Sequence, residues 1–317
     1  MNPNFKSDSR KGRYFEDIFI AHRDQYGAWA KPNPVEGINT LSNDACVGIS
    51  PDGDQLFIYK NIGIDNSDIF ISILQDDTTW SKPKSLPGDV NSPYWEGSAT
   101  ITTDGQTLYF SSERIGGYGG RDIYKASRLD KGTWGDVKNL GPKINSEFDE
   151  DAPYIHPDGV TLYFSSNGIR SMGGYDVLYA ELKDDGTWHE ITNAGIPINS
   201  LDDDRFYILS ADGQTGYFSR ANGSELDDQD LYIVTPGKPG NPPTLALITG
   251  KVFLDNENQH ATIKVRDVET GEIAGTFSTK PGSQLFTMML KPGKNYLIDV
   301  VVDGEICLLY TSDAADD

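Results

Sequence analysis

Four carboxylates recur at one spacing. Asp44, Glu96, Glu150 and Asp204 each stand five residues after an asparagine, namely Asn39, Asn91, Asn145 and Asn199, and those asparagines are 52, 54 and 54 residues apart. Acids gathered around one space repel one another unless a cation or a basic group stands among them. Such a set could hold a divalent cation or receive a Lys/Arg-rich segment. It could equally be used inside the protein, accepting hydrogen bonds from backbone N–H groups or from Arg205. A pair of acids about 5–9 Å apart, in unlike surroundings, would serve glycoside hydrolysis. Here the acids repeat as equals, and no pair stands out.

Other chemistry finds little support. The histidines His22, His156, His189 and His260 lack metal-ligand spacing, and Cys46 and Cys307 form no Cys-x-x-Cys. No Gly-x-Ser-x-Gly elbow is present. The run Gly116-Gly117-Tyr118-Gly119-Gly120 lies between two strand-like segments and opens no helix, so it lacks the dipole of a phosphate loop. No cofactor is expected beyond a divalent cation at the four acids.

The elements that must position the acids share their period. Asp52-Gly53, Asp104-Gly105, Asp158-Gly159 and Asp212-Gly213 mark turns, and Trp29, Trp80, Trp134 and Trp188 mark a later strand. Asp17, Asp68, Asp122, Asp176 and Asp230 each precede an aliphatic–aromatic run. A role filled in every repeat is structural, because a single site needs one copy. These aspartates are therefore expected to accept backbone N–H bonds where a strand begins, and the tryptophans to pack between repeats. One unit reads as four short strands: Ala152 to His156, a Pro-Asp-Gly turn, Thr161 to Ser166, Asp176 to Leu182, and a segment around Trp188. Four antiparallel strands per repeat is a propeller blade. The chain reads as all-β, a β-propeller of about five blades over residues 8–234, with the acids opening the innermost strands around one channel mouth. The first blade lacks its inner half, so further residues are expected upstream of Met1.

Residues 235–243 form a Pro/Gly linker. Residues 244–306 alternate with period 2 and read as a small transthyretin-like β-sandwich. Residues 307–317 resemble a translated sequencing adapter and are expected to pack against nothing.

The motifs Ser50-Pro51-Asp52-Gly53, Leu108-Tyr109-Phe110-Ser111-Ser112 and Gly116 through Tyr124 resemble the TolB-type, WD-like propeller repeat. Gly250-Lys251-Val252, Val268-Glu269-Thr270-Gly271 and Leu290-Lys291-Pro292-Gly293 resemble a carboxypeptidase regulatory-like domain, which implies no peptidase activity. The pairing resembles the middle of OmpA-family envelope proteins of Bacteroidota, including the PorE type linked to type IX secretion. The resemblance implies a non-catalytic protein-interaction scaffold at the periplasmic face of the outer membrane. It also implies protein partners, such as envelope or secretion-system components, and contact with peptidoglycan only through a further C-terminal domain. The alternative is a glycan-binding or glycoside-hydrolysing propeller that uses the channel carboxylates.

Charge narrows the partners. The formal net charge is −21, of which −17 lies in residues 1–234. Such a surface repels phosphate backbones, so nucleic acid is excluded as a partner. No apolar h-region follows Met1, and no stretch reaches the ~20 apolar residues of a membrane helix.

Overall fold

A computed structural model describes residues 7–8, 13–14, 16–24, 26–63, 66–76, 79–129, 132–168, 170–221, 229–237, 245–254, 259–280, 284–302 and 304–313. The linker residues 238–243 lie outside the described residues, as do residues 314–317.

Each Asp-Gly pair closes a turn between two inner strands. The aspartate accepts the N–H two residues on, as Asp158 does from Val160 at 2.8 Å and Asp212 from Gln214 at 2.9 Å. The glycine after it supplies the positive φ of the turn, 71° at Gly159. The strands these turns join form a series of antiparallel sheets.

A short hairpin, β1 (Ser7–Asp8) with β2 (Arg13–Tyr14), precedes a half-blade in which β3 (Phe19–Ile20) pairs with β4 (Asn33–Pro34). Blade 2 runs in order through β5 (Asp44–Ile49), β6 (Gln55–Gly63), β7 (Asn66–Ile73) and β8 (Lys84–Ser85). Blade 3 comprises β9 (Glu96–Ile101), β10 (Thr107–Ser112), β11 (Asp122–Arg128) and β12 (Trp134–Asn139). Blade 4 comprises β13 (Glu150–Ile155), β14 (Thr161–Ser166), β15 (Asp176–Glu181) and β16 (Thr192–Asn193). Blade 5 has three strands, β17 (Asp204–Leu209), β18 (Gly216–Ala221) and β19 (Gln229–Val234). The protein is thus an all-β propeller, and no helix of the described residues is long and apolar enough to cross a membrane.

The core lies between blades, not within them. Ile18, Val35 and Ile38 pack on Leu56 and Ile58 of blade 2. Phe57 and Ile69 of blade 2 meet Leu108, Phe110 and Trp134 of blade 3. Tyr109 and Ile123 of blade 3 meet Leu162 and Trp188 of blade 4, with Trp188 edge-on to Tyr109 at 6.2 Å. Tyr163 and Val177 of blade 4 meet Tyr207 and Phe218 of blade 5. Burying each such side chain contributes about 1.5–3 kcal/mol. Trp29 is the contrast: it is exposed, with the Arg23 guanidinium 4.5 Å above its ring.

The marker asparagines clamp neighbouring blades. Asn145 accepts the Ile123 N–H at 2.8 Å and donates to the Ile123 carbonyl at 2.9 Å. Asn199 does the same to Val177, Asn91 to Ile69 and Asn39 to Ile18. One amide side chain thereby stands in for a neighbouring strand.

After the propeller come two facing sheets. One pairs β20 (Ala246–Lys251) with β23 (Leu285–Leu290). The other orders β22 (Ile273–Ser278), β21 (Ala261–Asp267), β24 (Asn295–Val302) and β25 (Glu305–Asp313). The alternation in β21 puts Ala261, Ile263 and Val265 into a core with Phe277, Met288 and Tyr296. The expected free tail is corrected here: residues 307–313 continue β25, and Leu308, Leu309 and Tyr310 stand opposite Val300, Asp299 and Ile298. The physical reason is that β24 otherwise offers an open edge, and unpaired backbone recruits any extended neighbour.

Candidate functional site

The four repeating acids do not open onto a shared space. Each is buried and bonded within its own repeat. Glu150 accepts the Ser146 N–H at 2.8 Å and hydroxyl at 2.6 Å, and the Ser166 hydroxyl at 2.9 Å. Glu96 takes the equivalent bonds from Ser92 and Ser112, with Arg114 at 3.3 Å. Asp44 accepts from the Thr40 N–H and hydroxyl and pairs with Lys60 at 2.5 Å. Asp204 accepts from the Ser200 N–H and hydroxyl and pairs with Arg220 at 2.6 Å. Each acid thus fastens the connection between blades to the end of its own second strand. Among the described residues no group of three His, Cys, Asp or Glu side chains could hold a metal ion. The basic partner is Lys60, Arg114 or Arg220 of the same blade in three cases, and not the expected Arg205, which pairs with Asp203. In blade 4 Gly168 stands at the place of Arg114, and burial pushes the Glu150 carboxyl above its ordinary range. Burial also raises Asp204, with Arg220 opposing.

The second repeating set sits where third strands begin. Asp122 accepts from the N–H groups of Tyr118 at 2.6 Å and Gly119 at 3.0 Å, and from the Asn139 amide at 2.7 Å. Asp176 accepts from the Met172 N–H at 2.7 Å and the Asn193 amide at 2.8 Å. Asn139 and Asn193 in turn accept from the clamping Asn145 and Asn199, so each aspartate supports a clamp. Asp68 has one oxygen without a hydrogen-bond partner, and burial, with Glu96 nearby, raises its carboxyl. Asp17 is half-buried and Asp230 exposed. Trp134 and Trp188 are buried and Trp80 is half-buried.

The residues that break the repeat lie beside these. The second residue of the inner strands is Ala45, Gly97, Asp151 or Arg205 in successive blades. Asp151 pairs with Arg121 at 3.1 Å and accepts the Ser111 hydroxyl at 2.7 Å. Arg121 lies 4.0 Å over the Trp95 ring and also pairs with Glu113 at 3.1 Å. Arg205 lies 3.4 Å over Tyr175, whose hydroxyl donates to Asp149 at 3.0 Å, and the Arg205 Nε has no hydrogen-bond partner. Two guanidiniums stacked on rings therefore stand at the end of the channel where the inner strands begin. The sequence signal for this cluster was available: it is the set of positions at which aligned repeats disagree.

Beyond it the inner strands line an open apolar cavity of about 340 Å³, with Val47, Ile49, Ala152, Tyr154, Phe206 and Ile208 on its walls and Met289 of the sandwich also reaching it. Each inner strand carries a register shift, and in blades 4 and 5 Ala152 and Phe206 take positive φ there, 50° and 56°. A positive φ is costly for a bulky residue; at Phe206 the side chain is left facing the cavity. Cys46 also lines the cavity, where it is open to solvent.

The sandwich reaches the turn end of the inner strands, where the Thr276 N–H donates to the Thr103 carbonyl at 3.1 Å. Asp54 is buried on the same side, with one oxygen unpartnered and Lys280 of the sandwich acting on its charge.

No family model matches the chain, and no curated protein matches it. Solved structures do. TolB from Acinetobacter baumannii is 14% identical, with 89% of this chain and 60% of that one covered and a TM-score of 0.42. The α-L-arabinofuranosidase of Clostridium thermocellum is 18% identical over 68% of this chain and 75% of its own, with a TM-score of 0.42. The periplasmic gluconolactonase of Pseudomonas aeruginosa is 12% identical over 94% and 93%, with a TM-score of 0.38.

Proposed function

We propose that the protein is a non-catalytic protein-interaction scaffold of the bacterial cell envelope, with the start of the inner strands as its binding face. The observation that carries this reading is the division of labour among polar side chains. Asp44, Glu96, Glu150 and Asp204 are buried and bonded within their own blades, each tying the incoming connection to its second strand. The non-repeating Trp95, Arg121 and Arg205, with the buried Tyr175 under Arg205, stand where the inner strands begin, ahead of the residues that line the apolar cavity. Rigid aromatic and arginine side chains beside an apolar recess are what binding hot spots are made of. A hydrolase would need two accessible carboxylates, and Asp44, Glu96, Glu150 and Asp204 are all buried.

The finer reading rests on sequence motifs. The second unit acts as a carboxypeptidase regulatory-like spacer, and the whole belongs with OmpA-family proteins at the periplasmic face of the outer membrane, in the service of type IX secretion.

The test is selection of binding peptides from a displayed library, followed by titration against Arg121→Ala, Arg205→Ala and the parent. Saturable binders that both variants weaken at least tenfold are expected. Binders indifferent to both variants would sink the reading. So would turnover of aryl glycosides that Glu150→Gln abolishes.

A further inference from the structure

The seam between blade 5 and the half-blade is unlike the other four. Directly after the repeat aspartate, Ile69, Ile123 and Val177 are each 0% exposed, because the next blade covers them. Leu231 holds the same place in blade 5 and is 76% exposed, and Ile233, two residues on, is 50% exposed. Tyr217 occupies the second-strand place at which Phe57, Tyr109 and Tyr163 are buried, and it is only half-buried. Across the seam, Phe19 is 42% exposed, whereas its counterparts Tyr124 and Leu178 are buried. Tyr124 stacks on Phe110 of its own second strand at 5.9 Å, and Tyr232 stacks on Phe218 at 5.5 Å. Beside Phe19, β3 pairs with β4 and, among the described residues, with no second strand. Arg23 of the half-blade reaches across to the Tyr217 hydroxyl at 3.1 Å, which keeps the two sides of the slot together.

We infer that this slot is a docking site for a two-stranded antiparallel β-hairpin carrying the repeat's own inner-strand pattern. The other seams specify the occupant. Val177 is covered by Ile198, Tyr207 and Phe218, which lie ahead of and along the first two strands of the following blade. Ile123 is covered in the same way by Ile144, Ile155, Leu162 and Phe164, of which Ile144 and Phe164 hold the repeat places of Ile198 and Phe218. A segment with an aliphatic residue, an asparagine, an acid five residues later, an Asp-Gly turn and an apolar second strand meets both walls at once. Its asparagine pairs with the main chain of Leu231 as Asn199 pairs with that of Val177. Its second strand pairs with the edge of β3 that no described strand covers, and packs on the exposed Phe19. Main-chain pairing supplies affinity and the alternate side chains supply selectivity, as in other cases of β-strand addition.

This site is separate from the channel mouth, so either can fail without the other. The test uses a synthetic peptide of residues 142–168 of this sequence, titrated against the full chain by calorimetry and by melting temperature. Saturable one-to-one binding with a rise in melting temperature is expected. Leu231→Asp and Phe19→Asp should each weaken it at least about tenfold. Both residues are exposed, so both variants should keep the parent's circular dichroism and melting temperature without peptide. Asn145→Ala within the peptide should weaken binding too, and Arg205→Ala in the protein should not. No saturable binding, or binding unchanged by Leu231→Asp, overturns the inference. A dimer of the free protein that Leu231→Asp dissolves also overturns it, because the occupant is then a second copy.

Discussion

Replacing Asp54 with asparagine should make the protein more stable, by an amount set by pH. The Asp54 carboxyl is pushed up to about 7, first by burial, then by the neighbouring Asp52, with Lys280 opposing. An unfolded aspartate titrates near 3.9. Between those values the folded protein holds a proton that the unfolded chain has released, so stability falls as pH rises through the window from about 4 to about 7. A gap of about three pKa units at 1.36 kcal/mol each sets an upper bound near 4 kcal/mol above pH 7. Asparagine keeps the shape and removes the titration. Urea unfolding of parent and Asp54→Asn at pH 4 and pH 8 measures the effect. The variants should nearly coincide at pH 4, and Asp54→Asn should be about 2–4 kcal/mol more stable at pH 8. If Asp54→Asn is the less stable protein at pH 8, the carboxylate is charged and favourably paired with Lys280, and the reasoning fails.

Two further perturbations probe the seams. Asn145→Leu removes both bonds to Ile123 and the one to Asn139 from a buried site, and should cost about 3 kcal/mol in chemical denaturation; a loss below 1 kcal/mol would mean the clamp is ornamental. Asp204→Asn strands the Arg220 guanidinium it pairs with, whereas Glu150→Gln strands no cation. Asp204→Asn should therefore be the more damaging by about 1–3 kcal/mol, discounted for the partial exposure of Arg220, and equal losses in melting experiments would refute the assignment.

Much of the fold was legible because the repeat states it several times. The Asp-Gly turns, the strand after each repeat aspartate and the half-blade at the start all follow from residues at a shared period. The inward alternation of β21 was equally plain. The acids were harder. Their spacing showed that they are equivalent, but direction depends on partners distant in sequence: the residue sixteen positions on, at the end of the second strand, is Lys60, Ser112, Ser166 or Arg220. A nearer signal was present and went unread. Each marker asparagine is followed by Thr40, Ser92, Ser146 or Ser200, a hydroxyl four residues ahead of the acid, which is how a carboxylate turns back on its own loop. The strand at 305–313 was illegible for another reason. Edge pairing is backbone chemistry and needs no sequence pattern beyond extended, partly apolar residues. The Arg121 and Arg205 cluster escaped because a search for periodicity discards what does not repeat.

The asparagine clamps have a consequence for how such a chain can change. Each clamp is made by the residue that opens one unit and received by the third strand of the unit before it. Duplication or loss of one whole unit, about 54 residues, therefore leaves every clamp with a recipient, and no new joint has to be invented. Joints and novelty also occupy different positions. Asn39, Asn91, Asn145 and Asn199 keep the same side chain for the same bond, while Ala45, Gly97, Asp151 and Arg205, a few residues later, are free to differ. Copies of one unit can thus be added as interchangeable parts and then be altered one by one at the mouth, while the asparagine clamps that join them stay as they are.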